Sequence, residues 1–378
     1  MSTTVKSGNV GGAEGFREAA RQWLEENVPE YWRKNRGALS EDEEARIRLE
    51  WERQLYAGGY SALSLPQEYG GAGFGLAEEV TFGELAARAE APDGMGRIGK
   101  ILVAHTLAKI GTQAQKQQII PKIVSGEQIW CQGFSEPGSG SDLASVSCSA
   151  RAVDGGFLVR GRKTWTSYSK YADKCILLAR SDENAPRYHN LTMLMVDMHA
   201  PGIELSPIRQ ISESQHFSET TFDDVFVSSE DVMGEVGEGW KVAMVVLENE
   251  RGLVEAMARY VEIRADMNLL LECCAQPGEA TDEVSDLDTR VELVRCQVSK
   301  AVAVEDDAKA FLRASSILKV TWSELWQELT GLGLKLSCRA HRDHWRHQYL
   351  ESRSATIYSG TSEIQRNIIA ERVLRMPK

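Results

Sequence analysis

The chain has 378 residues, 42% of them hydrophobic, with 43 Lys plus Arg against 55 Asp plus Glu, for a formal net charge of -12. That length exceeds what one compact core usually accommodates, so two or three domains are expected, and the negative balance argues against a nucleic-acid backbone as the main partner. No apolar run approaches the roughly 20 residues of a membrane span, the opening MSTTVKSGNVGGAEGF lacks the apolar core of a secretory signal, and seven cysteines without a Cys-x-x-Cys pair indicate neither a disulfide framework nor a zinc site; a cytoplasmic, acidic enzyme with reduced thiols is the expectation.

Residues 1–129 read as a helical domain. FREAARQWLEENV, LSEDEEARIRLEWERQLYAGGY, LAEEVTFGELAARAEA, GKILVAHTLAKIG and TQAQKQQIIPKIVSG carry the helical period, with Ser40 and Glu43 as a start signal and Gly58-Gly59 as a stop. The run Gly70-Gly-Ala-Gly-Phe-Gly75 has no strand pattern before it and no βαβ context after it, so it reads as a loop between helices and not as a dinucleotide fingerprint.

Residues 130–236 read as a small antiparallel β-domain. Ser147 to Arg162 alternates around Asp154-Gly155-Gly156, a hairpin turn signal. KCILLAR at 174–180, LTMLMVD at 191–197 and ETTFDDVFV at 219–227 are further strands.

Residues 237–378 return to the helical period in four segments, roughly 239 to 275, 282 to 313, 315 to 334 and 361 to 374. In GWKVAMVVLENERGLVEAMARYVE the apolar stripe runs Trp240, Ala243, Met244, Leu247, then Val254, Met257, Ala258 and Val261, with Glu250 and Arg251 in its gap. Two inward charges are consistent with a structural ion pair or a kink. That plain reading is the commoner one for such a pattern; the other is a carboxylate whose burial suits it to act as a general base. The cluster His341-Arg-Asp-His-Trp-Arg-His347 reads as a charged, solvated segment, because only two of its three imidazoles can share a helix face.

The stretch WCQGFSEPGSGSD at 130–142 sets glycines among hydroxyls at the helix-to-sheet junction, where loop N–H and O–H donors could meet phosphate oxygens. Taken alone, such a pattern is more often a plain turn. Its company gives it meaning: WCQGFSEPGSGSDLAS, GRKTWTS, TFDDVFV, VLENERG, QELTGLG and TIYSGTSEIQRNIIAERVL, in that order, resemble the acyl-CoA dehydrogenase family over nearly the whole chain. The resemblance implies an α+β, mostly α fold: an N-terminal helical domain, a central antiparallel β-barrel-like domain and a C-terminal four-helix bundle.

It also implies FAD-dependent α,β-dehydrogenation of an acyl thioester to the trans-2-enoyl product, with an electron-transfer flavoprotein as acceptor and a dimeric or tetrameric homo-oligomer. Position by position, it implies that Ser135 lies beside the flavin ring, Ser141 at the pyrophosphate, Trp165 over the isoalloxazine and Ser167 toward its N5. Gln327 and Gly331 match the segment at the adenine end, and Thr361 and Glu363 the final cofactor contacts.

In many relatives the catalytic Glu directly precedes the Gly-Thr of the last motif, where this chain has Ser359; others place it on the first bundle helix before an Arg, which matches Glu250-Arg251. Glu250 is therefore the expected base, Arg251 a substrate contact, and the Ser359 backbone N–H a donor to the thioester oxygen. One departure stands out: the family's Arg-x-x-Phe-Gly segment has no counterpart near 273–278, which carries CCAQPG. That leaves open a hetero-oligomer in which this chain is flavin-poor, beside a reading with the same fold and flavin acting on an atypical substrate such as an acyl carrier protein thioester, a nitroalkane or a sulfinate.

Overall fold

The structure, a computed structural model, describes residues 11–35, 38–249, 253–273, 282–336 and 341–377. The chain forms two compact units, one of residues 1–16, 26–75 and 92–250, the other of residues 17–25, 76–91 and 251–378. Helix α1 (Gly12–Asn27) contributes residues to both.

In the first unit, α2 (Glu30–Asn35) and α3 (Glu41–Gly58) lead into the glycine-rich loop. Helix α3 starts where its sequence says it should: the Ser40 amide donates to Glu43 Oε2 at 3.0 Å, and Gly59 closes the helix in the left-handed region at φ 80°. A π-helical turn (Ile98–Ala104) continues into α5 (His105–Ile110), and a second capping box, Thr112 with Gln115, opens α6 (Gln113–Val124).

Seven strands follow: β1 (Trp130–Gly133), β2 (Ser149–Val153), β3 (Gly156–Ser167), β4 (Lys174–Arg180), β5 (Leu191–Asp197), β6 (Ile203–Ile208) and β7 (Phe217–Ser228). They form one sheet in the order β1-β4-β2-β3-β7-β6, with β5 also paired to β4. Pairing is antiparallel except that β1 and a single β2 residue run parallel to β4. The β2–β3 hairpin turns at Asp154–Gly155, with Gly155 at φ 79°. Strands β4 and β5 are buried on both faces, so their sequences are continuous apolar runs. Two strands escaped the sequence reading. Strand β1 is only four residues long, and β6 is an exposed edge strand carrying Pro207, a residue tolerated only at such edges.

Helix α7 (Gly239–Asn249) ends this unit. It packs through Val242, Ala243 and Val246 into a core shared with β5, α6 and the π-helical turn.

The second unit contains α4 (Leu76–Arg88), α8 (Leu253–Cys273), α9 (Asp282–Val302), α10 (Ala308–Leu336), α11 (Arg342–Ala355) and α12 (Ser362–Ile368), the last extended by a π-helical turn to Val373. The expected break near residue 314 lies instead at 303–307, where Asp307 Oδ1 accepts from the amides of Lys309 (3.0 Å) and Ala310 (3.1 Å) and restarts the chain as α10. On α8 the buried stripe is Leu253, Ala256, Met257, Tyr260, Ile263, Met267 and Leu270. The expected Val254 and Val261 are half-buried at its margin, because α8 is gripped by α4, α9 and α10 together.

The histidine cluster is solvated as expected along most of its length, with Arg342, Asp343, His344, Arg346 and His347 exposed, but it also carries an anchor. It opens α11, where Trp345 is fully buried and His344 Nε2 meets the buried Asp266 at 2.8 Å. A side chain on Gly333 would stand inside the Trp345 ring, so the α10–α11 crossing depends on that glycine.

Candidate functional site

Ser135 lies two residues past the end of β1. Its carbonyl accepts from the Thr164 amide of β3 at 2.9 Å, which sets Ser135 beside the end of β3 that carries Trp165. Past it, Glu136 and Ser139 exchange both main-chain hydrogen bonds, at 2.7 and 3.1 Å, around Pro137-Gly138. The loop is held from inside by Ser139, whose hydroxyl donates to the Asp142 carbonyl at 2.7 Å.

What the loop leaves outward matters more. Gly138 and Gly140 face open space, Ser141 is exposed, and among the described residues the amides of Gly140, Ser141 and Asp142 have no protein acceptor. Such a row of unused N–H groups fits the oxygens of a diphosphate. At its margin Arg187 of the β4–β5 loop pairs with Asp142.

Trp165 sits in an irregularity of β3 between Lys163 and Thr166, at φ 61°. A left-handed conformation is costly for a large residue and is characteristic of functional positions. Here it turns the indole outward, 55% exposed, while Lys163 and Thr166 on either side are buried. The Trp165 ring meets the edge of Phe217, at 5.9 Å and 83°. Ser167, opposite Phe217 in the β3–β7 pairing, is half-buried. The hydroxyls of Ser135, Ser141 and Ser167 bond no protein group among the described residues, so all three are available. Ser135, Ser141, Trp165 and Ser167 thus lie on one loop and one strand end joined by the Ser135–Thr164 hydrogen bond, and they fit a planar ring with a diphosphate tail.

Two residues that the sequence reading did not single out hold this arrangement. Lys163 is fully buried and donates to Glu136 Oε1 at 2.8 Å and to the Phe134 carbonyl at 3.0 Å. Burial pushes the Glu136 carboxyl up, but Lys163 and the Ser147 donors outweigh it and hold the group below the usual carboxylate range. Both residues stood inside the quoted motifs, and a Glu and a Lys in otherwise apolar or hydroxyl-rich strand ends were the signal that could have found them.

In the second unit, Ser359 and Gly360 follow α11 in consecutive left-handed conformations, φ 52° and 85°. The Ser359 carbonyl accepts from Gln365 Nε2 at 3.2 Å, while the Ser359 amide has no protein acceptor among the described residues. Thr361 caps α12, its hydroxyl accepting from the Ile364 amide at 3.2 Å. Glu363 is exposed in the first turn, its carboxyl lowered by its own backbone N–H and by Thr361.

Gln327 lies mid-way along α10, and its side-chain amide donates to the Ser352 carbonyl (3.0 Å) and Thr356 Oγ1 (3.0 Å), closing the C-terminal end of α11. That amide is committed within the chain. Gly331 is one helical turn on, in a groove of about 300 Å³ with Arg290, Lys335, Tyr349 and Arg353. Glu250 and Arg251, and the CCAQPG segment from Cys274 on, lie outside the described residues. Among the described residues no group of three His, Cys, Asp or Glu could hold a metal, and no helix is long and apolar enough to cross a membrane.

This combination, a seven-stranded sheet bearing an outward aromatic and an open donor loop between helical segments, is matched by known proteins along the chain. Family models for the acyl-CoA dehydrogenase N-terminal, middle and C-terminal domains match residues 12–127, 131–225 and 237–374. Acyl-CoA dehydrogenase IpdE1 of Mycobacterium tuberculosis is 35% identical over 97% of this chain and 98% of its own length, and IpdE1 of Mycolicibacterium smegmatis is 34% identical over 96% and 97%. Among solved structures, the ChsE4-ChsE5 complex from Mycobacterium tuberculosis has the same fold, with a TM-score of 0.84 at 24% identity over 99% of this chain and 100% of that one. The chain belongs to the acyl-CoA dehydrogenase family. It is an oxidoreductase of that family, whose members are flavoproteins with FAD as the usual flavin.

Proposed function

We propose that the chain binds FAD and removes the α and β hydrogens of an acyl thioester, with Glu250 as the base that takes the α-proton. The observation that carries the flavin half is the Ser135–Trp165 arrangement, in which unused loop amides, free hydroxyls and an indole turned outward at φ 61° gather at one end of the sheet. When bound, the flavin supplies an acceptor for the β-hydrogen as hydride.

The chain's own residues do the rest. Ser135 and Ser167 donate to the ring's polar edge, Trp165 covers it from water, and Ser141 with the neighbouring amides neutralises the diphosphate. Thr361 and Glu363 complete the cofactor contacts. The thioester carbonyl needs a donor to make the α-proton removable, and the unused Ser359 amide, held in a left-handed turn by Gln365, is suited to it. Glu250 accepts the proton and Arg251 orients the substrate; both assignments rest on the family's alternative placement of the base. Gln327 takes no part in holding the cofactor in this reading, because its amide closes α11. An electron-transfer flavoprotein is the acceptor.

The test is an absorbance spectrum of purified protein, wild type and Glu250→Gln, before and after anaerobic addition of acyl-CoAs of graded length and branching. Bleaching near the flavin maximum in wild type, reduced at least about a thousandfold in rate in the variant, is expected. Equal bleaching in both refutes Glu250. A colourless protein that gains no flavin on adding FAD favours the flavin-poor subunit.

A further inference from the structure

Lys163 has no exposed surface, and an ammonium group is tolerated there only if its charge is matched. The match is elaborate for a structural need. Glu136 accepts from four donors: Lys163 Nζ (2.8 Å) and the Cys148 amide (2.9 Å) on Oε1, and the Ser147 amide (2.7 Å) and hydroxyl (2.6 Å) on Oε2. Lys163 also holds the Phe134 carbonyl at 3.0 Å, and its neighbour Thr164 holds the Ser135 carbonyl at 2.9 Å. Residues 163 and 164 therefore grip 134, 135 and 136 in succession. Ser135 lies inside the grip, and Trp165 is the next residue along β3. Neither charged group reaches the face that Ser135 and Trp165 present, and an apolar pair of similar volume would often serve stability as well or better.

We infer that the buried Lys163–Glu136 pair is a positioning device that fixes the Ser135 loop against the Trp165 turn and so sets the geometry of the flavin-facing surface. It acts through those residues and touches no reacting atom. The inference rests on the flavin reading above. The side-chain pair supplies what the single Ser135–Thr164 main-chain bond cannot: a fixed angle between the loop and the strand end.

The test compares wild type, Lys163→Met and Lys163→Met/Glu136→Gln. Three quantities are measured: amide exchange of the FAD-free proteins, FAD affinity by flavin fluorescence, and the visible circular dichroism of the FAD-saturated enzyme with its kcat and KM. Expected in Lys163→Met is exchange at least about tenfold faster in 134–148 with other segments unchanged, and FAD affinity at least about tenfold weaker. At saturating FAD the flavin dichroism is altered and kcat falls while the thioester KM stays. Wild-type affinity and dichroism, or exchange that rises uniformly along the chain, overturns the inference. If Lys163→Met does not fold, the double variant, which removes both charges, decides: weak FAD binding in a folded double variant supports positioning, and full recovery of FAD affinity overturns it. Should wild type itself bind no FAD, the flavin reading fails, and the exchange comparison still tests the grip.

Discussion

Gln327 has two candidate tasks, at the adenine end of the cofactor or as the closure of α11, and Gln327→Leu separates them. The substitution keeps the side chain's approximate size but removes donors to the Ser352 carbonyl and Thr356 Oγ1, both at 3.0 Å. Ser352 is fully buried, so its carbonyl gains no water in exchange. A hydrogen bond is worth about 1 kcal/mol net, and a buried acceptor left alone costs about 1–3 kcal/mol; the loss is therefore about 2–4 kcal/mol. At roughly 2–4 °C per kcal/mol for a unit of this class, the melting point of FAD-free protein falls by about 4–16 °C. The assay is thermal melting of FAD-free wild type and variant, followed by FAD titration at a temperature where both are folded. FAD affinity then stays within about threefold of wild type. A variant that melts with wild type yet binds FAD much more weakly refutes the capping argument and returns Gln327 to the cofactor.

Trp165→Ala removes an indole that is 55% exposed and meets the edge of Phe217. Stability therefore changes by no more than about 1 kcal/mol, while iodide quenching of bound-flavin fluorescence rises severalfold; unchanged quenching shows that Trp165 does not cover the ring. For His344, the Asp266 contact raises its pKa above the ordinary 6.5 against an opposing burial effect. The stabilisation is then fully present below pH 6.5 and is lost as pH rises through the raised folded value. Melting points measured from pH 5.5 to 8.5 should fall more in wild type than in His344→Gln, and parallel profiles would sink the pairing.

The sequence was most legible where local chemistry and burial agree. Ser40 and Glu43 mark a helix start that needs nothing from elsewhere in the chain, the Asp154-Gly155 turn imposes its own hairpin, and β4 and β5 are apolar throughout because both their faces are covered. It was least legible where a distant partner decides. Strand β6 is exposed and exists because β7 offers it a pairing edge. Helix α11 has a polar sequence, and only the space left by Gly333 shows that Trp345 is its anchor. Within the candidate site, the motifs located Ser135, Ser141, Trp165 and Ser167, but the turn that points Trp165 outward and the pair beneath it are three-dimensional facts. Lys163 and Glu136 are 27 residues apart, and neither charge looks buried in a one-dimensional pattern.

The long β3–β7 ribbon has a consequence for how its length can vary. Along β3 the inward positions are odd-numbered as far as Phe157, Val159 and Lys163, then even-numbered at Thr166; along β7 they are even at Ser218, Thr220 and Phe222, then odd at Val225 and Val227. Each strand makes one phase slip, and a non-glycine residue in the left-handed region marks each, Trp165 at φ 61° and Asp224 at φ 51°. Because side chains alternate with a period of two, deleting one residue between Lys163 and Thr166 would cancel the slip in β3. Lys163 and Thr166 would then both stay inward in regular alternation, and what disappears is the left-handed turn at Trp165; a single deletion elsewhere in the strand would instead turn every inward residue beyond it outward. Length variants away from the two slips should therefore be accepted in steps of two residues, or in compensating pairs, whereas a single deletion keeps the inward residues inward only at a slip.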